Sequence, residues 1–359
     1  MPAIDTVPGR LALSVIIPAR NEEVSLGSCL ESLAAQVGVA FEIIVVDDHS
    51  TDRTREIALS FSNSQTQVHP QVKVQVIEAG PLPAGWTGKN NAVTAGAKVA
   101  RGEWLLFTDA DTLHLPGSLA RSLQEAQRRG AAMLSYSPEQ VVDSFWEKSV
   151  MPVIFAELAS SFRPSEVSNP KSPAAAANGQ YILISRDAYD AVGGHVAIAA
   201  SLLEDVALAR AVKRSGRKIF FRYGGNAVRT RMYRSFAQLR EGWTKNLALL
   251  FPSPVRLAAL RTLEFVLIVA SFAISIASGL RGHPRPAVVT GILCVILYTL
   301  FLTRIRRAHF SWDANILALL GLPLFSYLLL RSARAHANGN VSWKGRTYSD
   351  EVCLLATGH

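Results

Sequence analysis

Over roughly its first 250 residues the chain alternates apolar runs with stretches of helical spacing. LSVIIPA (13–19) is an apolar run closed by a polar turn, and Leu26, Leu30 and Leu33 recur at helical intervals across 22–36. FEIIVVDD (41–48) predicts a second buried strand. Residues 51–61 follow as a helix capped by Ser50 or Thr51, with Asp52 in its first turn. VKVQVI (72–77) alternates like a strand with one exposed face, and the Pro/Gly-rich EAGPLPAGWTGK leads into a helix from about Asn90 to Val99. A strand over 103–109 and a helix over 115–129 with Pro116 at its start complete the run. A small-residue loop, PKSPAAAANG (170–179), precedes the strand QYILIS, and SLLEDVALARAVKRSG (201–216) is an amphipathic helix. Such β-α alternation predicts an α/β fold with a Rossmann-like, mainly parallel sheet and helices on both faces.

After about residue 255 the pattern changes to three dense apolar blocks, 263–280, 287–303 and 314–330. A span needs about 20 apolar residues, so all three are at the short end of that range. Gly321 and Pro323 sit at the centre of the third block and predict a break in it. The expected topology is therefore two spans plus one re-entrant or interfacial segment, with residues 343–348 returning to the catalytic face. Three plain spans, the alternative, would place that tail on the opposite side. The domain division that follows is a catalytic domain over 1–250, a membrane region over 251–340 and a tail over 341–359.

Composition agrees with a membrane setting. Hydrophobic residues make up 49% of the chain and the mean hydropathy is +0.20. The net charge is +9, and much of it flanks the apolar blocks, at Arg304, Arg306 and Arg307 and again at Arg331 and Arg334. That distribution places these links, and the catalytic domain, in the cytoplasm of a multi-pass inner-membrane protein. The aromatic-basic interleaving of single-strand nucleic-acid readers is missing. Cys29, Cys294 and Cys353 are far apart and odd in number, which argues for a reducing compartment and against disulfides or zinc. LALSVIIP near the start is too short for a signal peptide and reads as a strand.

In a parallel α/β sheet, ligands sit beyond the carboxyl ends of the strands. The clusters PARNEE (18–23), DDHSTD (47–52), GKNN (88–91) and DAD (109–111) all fall there. Asp109 and Asp111 follow an apolar strand and suit a hard divalent ion, Mg²⁺ or Mn²⁺, whose shell is completed by water and substrate phosphates. Asp47 and Asp48 exceed what helix capping needs and can accept hydrogen bonds from a ribose or a base; Glu22, after Pro18 and Ala19, can serve the same nucleoside. Lys89, next to a helix start, is a candidate anion site. Glu204 and Asp205 either partner a helix dipole or supply a general base. Arg229, Arg231, Arg234, Arg240 and Lys245, set among aromatics, form a solvated basic face, a membrane-surface helix or a clamp on a pyrophosphate leaving group.

Taken together, VIIPARNEE, EIIVVDDHSTDRT, GWTGKNNA, LLFTDADT, LLEDVALARAVKRSG and REGWTKN resemble glycosyltransferase family 2, the inverting GT-A enzymes, over roughly residues 11–250. PAGWTGKNNA and the C-terminal WKGRTY resemble more narrowly the hopene-associated and carotenoid (chlorobactene-type) glycosyltransferases. The resemblance implies that Asp48, with Asp47 and Glu22, holds the nucleoside, and that Pro18, Ala19, Lys89, Asp109, Arg240 and Trp243 also contact the donor. It implies that Asp111 and Asp109 carry the metal, and that Asp205, beside Glu204, is the catalytic base. The Gln-x-x-Arg-Trp motif of processive synthases is not kept, since Gly242 precedes Trp243, and this favours a single transfer. The function so implied is transfer of one sugar from a nucleotide diphosphate sugar, with a preference for uridine, to a hydroxyl of a lipid such as a hopanoid, carotenoid or glycerolipid. A polyprenyl-phosphate sugar synthase, a nucleotidyltransferase and a non-catalytic membrane scaffold are the competing readings.

Overall fold

The structure is a computed structural model that describes residues 11–68 and 72–348. In chain order the first elements are β1 (Leu13–Ala19), α1 (Leu26–Ala34), β2 (Phe41–Asp47), α2 (Thr54–Val68), β3 (Lys73–Glu78) and α3 (Gly88–Val99). Next come β4 (Trp104–Phe107), β5 (Thr112–His114), α4 (Ser118–Arg129), β6 (Met133–Ser137), β7 (Glu139–Gln140) and α5 (Phe145–Ser161). They are followed by α6 (Pro164–Ser168), β8 (Ile182–Ser185), α7 (Arg186–Ala191), α8 (Glu204–Arg214), β9 (Ile219–Tyr223) and β10 (Val228–Thr230). The last are α9 (Phe236–Leu250), α10 (Pro254–Leu280), α11 (Pro284–Ile305), α12 (Trp312–Ala337), β11 (Val341–Trp343) and β12 (Arg346–Tyr348). The chain divides into two units. The first takes the described residues up to Val141, Phe162–Met232 and residues 344–348; the second takes Val142–Ser161 and Tyr233–Trp343.

In the first unit a seven-stranded sheet runs in the order β3-β2-β1-β4-β8-β6-β9. Alternate residues of β1 feed two cores. Val15 and Ile17 face a layer with Leu26, Leu30 and Leu33 of α1, and Ile16 faces one with Ala92, Val93 and Ala97 of α3. Burial on both faces is why β1 and β2 read as unbroken apolar runs. The sheet is mixed, because β8 is antiparallel to both β4 and β6. Four of the sheet's six pairings are parallel, as expected, and the reversal at β8 has a use. It delivers residues 178–181 to the carboxyl end of β4, where the Thr108 hydroxyl donates to the Gln180 carbonyl at 2.8 Å. Strands β5, β10 and β7 form a small second sheet, in that order.

The second helix, α2, begins three residues later than its expected first residue, Thr51. Asp52 is the residue that accepts the Thr54 N–H, at 3.0 Å. Ser50 instead accepts the Asn21 N–H, at 3.1 Å. The expected caps thus tie the loop after β1 to the loop after β2.

In the second unit, α12 packs on α5, α9 and α10. Helices α10, α11 and α12 are long and apolar enough to cross a membrane. They differ in burial: 44% of the most apolar stretch of α12 is buried, against 11% for α10 and 6% for α11. Contrary to the expected break, α12 continues through Gly321 and Pro323. Tertiary packing overrides the local cost: a side chain at 321 would lie 1.9 Å from the Ser149 carbonyl oxygen of α5, so glycine lets the two helices meet.

Candidate active site

Local backbone geometry brings four acidic loops to one edge of the first unit. Asn21 (φ 52°) and His49 (φ 54°) take left-handed conformations just beyond β1 and β2. The Asp48 N–H donates to the Ala19 carbonyl at 2.8 Å, and Arg20 Nη1 donates to the Asp48 carbonyl at 2.7 Å. Asp47 is buried and accepts the Ser50 N–H at 3.3 Å. Asp48 is also buried, and both of its carboxylate oxygens accept from Arg346. Glu22 is part-buried; burial raises its carboxyl above the usual range, while Lys344, which donates to it, opposes the rise.

At the centre lies Lys89, in the first turn of α3. Thr87 caps that helix by accepting the Asn90 N–H. The Lys89 ammonium reaches Asp109 Oδ1 at 2.7 Å and Glu204 Oε1 at 2.8 Å. Burial by itself would lower its pKa, but Asp109 and then Glu204 hold it well above the ordinary lysine value. One cation therefore joins the Asp-x-Asp turn to the start of α8. Pro18, Phe107, Thr108 and His195 line a small cavity beside it. His195 donates or accepts at the Tyr189 hydroxyl, 3.0 Å away, and burial lowers its pKa to about 4, so it is neutral.

The Asp-x-Asp turn is held from below. Thr112 Oγ1 donates to the Asp109 carbonyl at 2.8 Å, and Thr230 Oγ1 to the Asp111 carbonyl at 3.2 Å. His114 Nε2 lies 3.2 Å from both Thr108 and Thr112 hydroxyls. The Asp111 side chain is left short of positive charge. Its Oδ1 is buried with no hydrogen-bond partner among the described residues, and burial, then Asp109 and Glu22, pushes its pKa up to about 8. Asp205 accepts the Gly179 N–H at 3.0 Å and the Val206 N–H at 2.8 Å. Burial, and then Glu204, raises its pKa to about 6.

Residues 14–193 match the family model described as "Glycosyl transferase family 2". The chain belongs to glycosyl transferase family 2. It is 28% identical over 349 residues to the 4,4'-diaponeurosporenoate glycosyltransferase of Staphylococcus aureus (strain MRSA252), covering 94% of this chain and 88% of that protein. It is similar in fold to a mannosyltransferase from Pyrobaculum calidifontis solved in complex with GDP-Man and Mn²⁺, with a TM-score of 0.53 and 15% identity. That match covers 91% of this chain and 87% of the other. As a family 2 member the chain is a glycosyltransferase, with a GT-A-like sheet and three helices able to span a bilayer.

The expected site residues Pro18, Ala19, Glu22, Asp47, Asp48, Lys89, Asp109, Asp111, Glu204 and Asp205 all belong to the first unit. Arg240 and Trp243 belong to the second, where Trp243 is buried and its indole N–H meets Met151 Sδ at 3.4 Å. Among the basic residues near 230, Arg229 is spent on Glu139 at 2.6 Å. Two residues at this edge were not foreseen as part of the site. Lys344 and Arg346 stand among the acids, 322 and 298 positions from Glu22 and Asp48. Only the placement of WKGRTY on the catalytic face pointed to them.

Proposed function

We propose that this glycosyltransferase is a membrane-bound, inverting enzyme that moves one sugar from a nucleotide diphosphate sugar to a lipid. The catalytic domain lies within 1–250, the membrane region within 251–340 and the tail over 341–359. In this reading Asp48, Asp47 and Glu22 hold the nucleoside beyond the ends of β1 and β2. Lys89 offsets charge on the diphosphate. The buried Asp111 oxygen that no described residue meets, with Asp109 nearby, suits a divalent cation, Mg²⁺ or Mn²⁺. Among the described residues no three such side chains gather, so the rest of its shell falls to water and phosphate oxygens. Such an ion supplies charge neutralisation of the departing diphosphate.

The observation that carries the reading is the placement of Asp205. Its carboxyl is buried, raised to about 6, and fixed by the Gly179 and Val206 N–H groups. A carboxylate with that pKa is deprotonated at neutral pH yet basic enough to take a proton from an attacking hydroxyl. In-line attack aided from that position inverts the anomeric centre. The partner Glu204 is committed to Lys89, which leaves the proton to Asp205. The similarity to a carotenoid-type enzyme and the long apolar helices support an isoprenoid or other lipid acceptor.

The test is Asp205→Asn. With a hydroxyl acceptor, kcat should drop by roughly 10²–10⁴ with donor affinity unchanged. Full activity in this variant would instead identify an acceptor that is already ionised, a carboxylate or a phosphate.

A further inference from the structure

The end of the described chain enters the pocket in which the nucleoside is proposed to bind. Arg346 makes a two-pronged contact with Asp48, Nη1 to Oδ2 at 2.5 Å and Nη2 to Oδ1 at 2.9 Å. Lys344 donates to Glu22 and, at 2.9 Å, to the Arg20 carbonyl, while Arg20 Nε donates back to the Lys344 carbonyl at 3.3 Å. Arg346 and Asp48 are nearly sequestered, with side chains 18% and 6% exposed. Space is reserved for this contact. A side-chain carbon at Gly88 would lie 1.6 Å from Arg346 Nη1 and 2.8 Å from Asp48 Oδ2. The turn itself is costly: Lys344 (φ 47°) and Gly345 (φ 77°) are both left-handed, and a lysine adopts that conformation only where its contacts hold it.

Charge suggests the purpose. Glu22, Asp48, Asp109 and Asp111 crowd this edge, and Lys89 is already shared between Asp109 and Glu204. A nucleoside diphosphate adds further negative charge to the same place. A guanidinium bridging both oxygens of Asp48 fixes that carboxylate's rotamer and offsets its charge, and an ammonium does the same for Glu22.

Resting on the proposed function, we infer that residues 344–346 are a working part of the donor pocket. Arg346 and Lys344 are positioning residues for the nucleoside diphosphate: they orient Asp48 and Glu22 and supply positive charge directly at those two carboxylates.

The experiment titrates UDP and GDP, each with Mn²⁺, into the full-length detergent-solubilised protein by calorimetry. The variants are Arg346→Ala, Arg346→Lys, Lys344→Ala and Gly88→Ala, and steady-state kinetics are run alongside. Loss of one charge-assisted hydrogen-bonded contact should weaken nucleotide binding by roughly ten- to hundredfold. Donor KM should rise by a similar factor while acceptor KM and the melting temperature stay near wild type. Arg346→Lys should recover little, because one ammonium cannot bridge two oxygens. Gly88→Ala should copy Arg346→Ala, and the double variant should be no worse than either, since both break one contact. If Arg346→Ala fails to fold, Lys344→Ala and Gly88→Ala carry the test. Unchanged binding in the folded variants overturns the inference. Tighter binding also overturns it, because the tail would then be a plug that competes with the nucleotide. Binding of neither nucleotide by the wild-type protein would bring down the proposed function as well as this inference.

Discussion

Asp111 and Asp205 show how much chemistry rests on single carboxylates. Both are raised by burial first and by a neighbouring acid second, Asp111 to about 8 and Asp205 to about 6. A base works deprotonated, so kcat for a hydroxyl acceptor should decline as pH falls through about 6 and level off above it. The pH profile of initial rates checks this. The stability consequence has the sign opposite to that of a salt-bridged acid. Because Asp111 ionises less readily folded than at its ordinary value of 3.8, the native state holds the extra proton, and its contribution to stability is lost as pH rises from about 4 to 8. In EDTA, Asp111→Asn should therefore melt above the wild type at pH 8 and match it near pH 4, as thermal melts at both pH values would show. Most of these side chains were legible in the sequence, since each acid closes an apolar strand or opens a helix. The Lys89 bridge was only half legible. Its position before a helix marked an anion site, whereas its contacts with Asp109 and Glu204 join segments 20 and 115 residues away. Spacing along a chain carries no record of that.

Among elements, the strands after which the acids stand were readable because burial on both faces leaves no polar interruption. The direction of β8 was not. QYILIS reads as a strand whichever way it runs, and its antiparallel pairing with β4 depends on how the chain returns after α5. The third apolar helix shows the converse, a local signal overruled by packing. Pro323 costs a backbone donor, yet α12 is continuous because it is packed on α5, α9 and α10. Gly321 is the residue that permits this approach. Gly321→Leu should force α12 off α5 and destabilise the protein by about 1–3 kcal/mol or more, overpacking being costly where the neighbour is backbone. Thermal unfolding in detergent would register the loss. A melting temperature unchanged from wild type would mean that the α5–α12 contact is not part of the stable core. A charged cluster also joins these helices: Arg304 of α11 meets Glu157 of α5 and Glu264 of α10 at 2.7 Å each.

For the whole molecule, the two ends of the membrane region constrain its topology. Met232 and Lys344 both belong to the catalytic unit. A chain that leaves one side of a membrane and returns to it crosses an even number of times, so we propose that α10 and α11 span while α12, the most buried of the three helices, does not. The sequence pointed to the same count through Pro323, for a reason that the continuous helix removes. In a variant lacking Cys29, Cys294 and Cys353, Ser342→Cys should stay unlabelled by an impermeant thiol reagent on intact cells and react after permeabilisation. Labelling from outside would mean three crossings. Product analysis tests single-sugar, inverting transfer to a lipid most directly. Purified full-length protein is incubated with Mn²⁺, α-linked sugar nucleotides labelled in the sugar, and a lipid extract. Nucleoside diphosphate should be released in step with label entering the lipid, the new linkage should be β, and both should be lost in Asp111→Asn. Release of pyrophosphate, or an α-linked product, would contradict such a transfer.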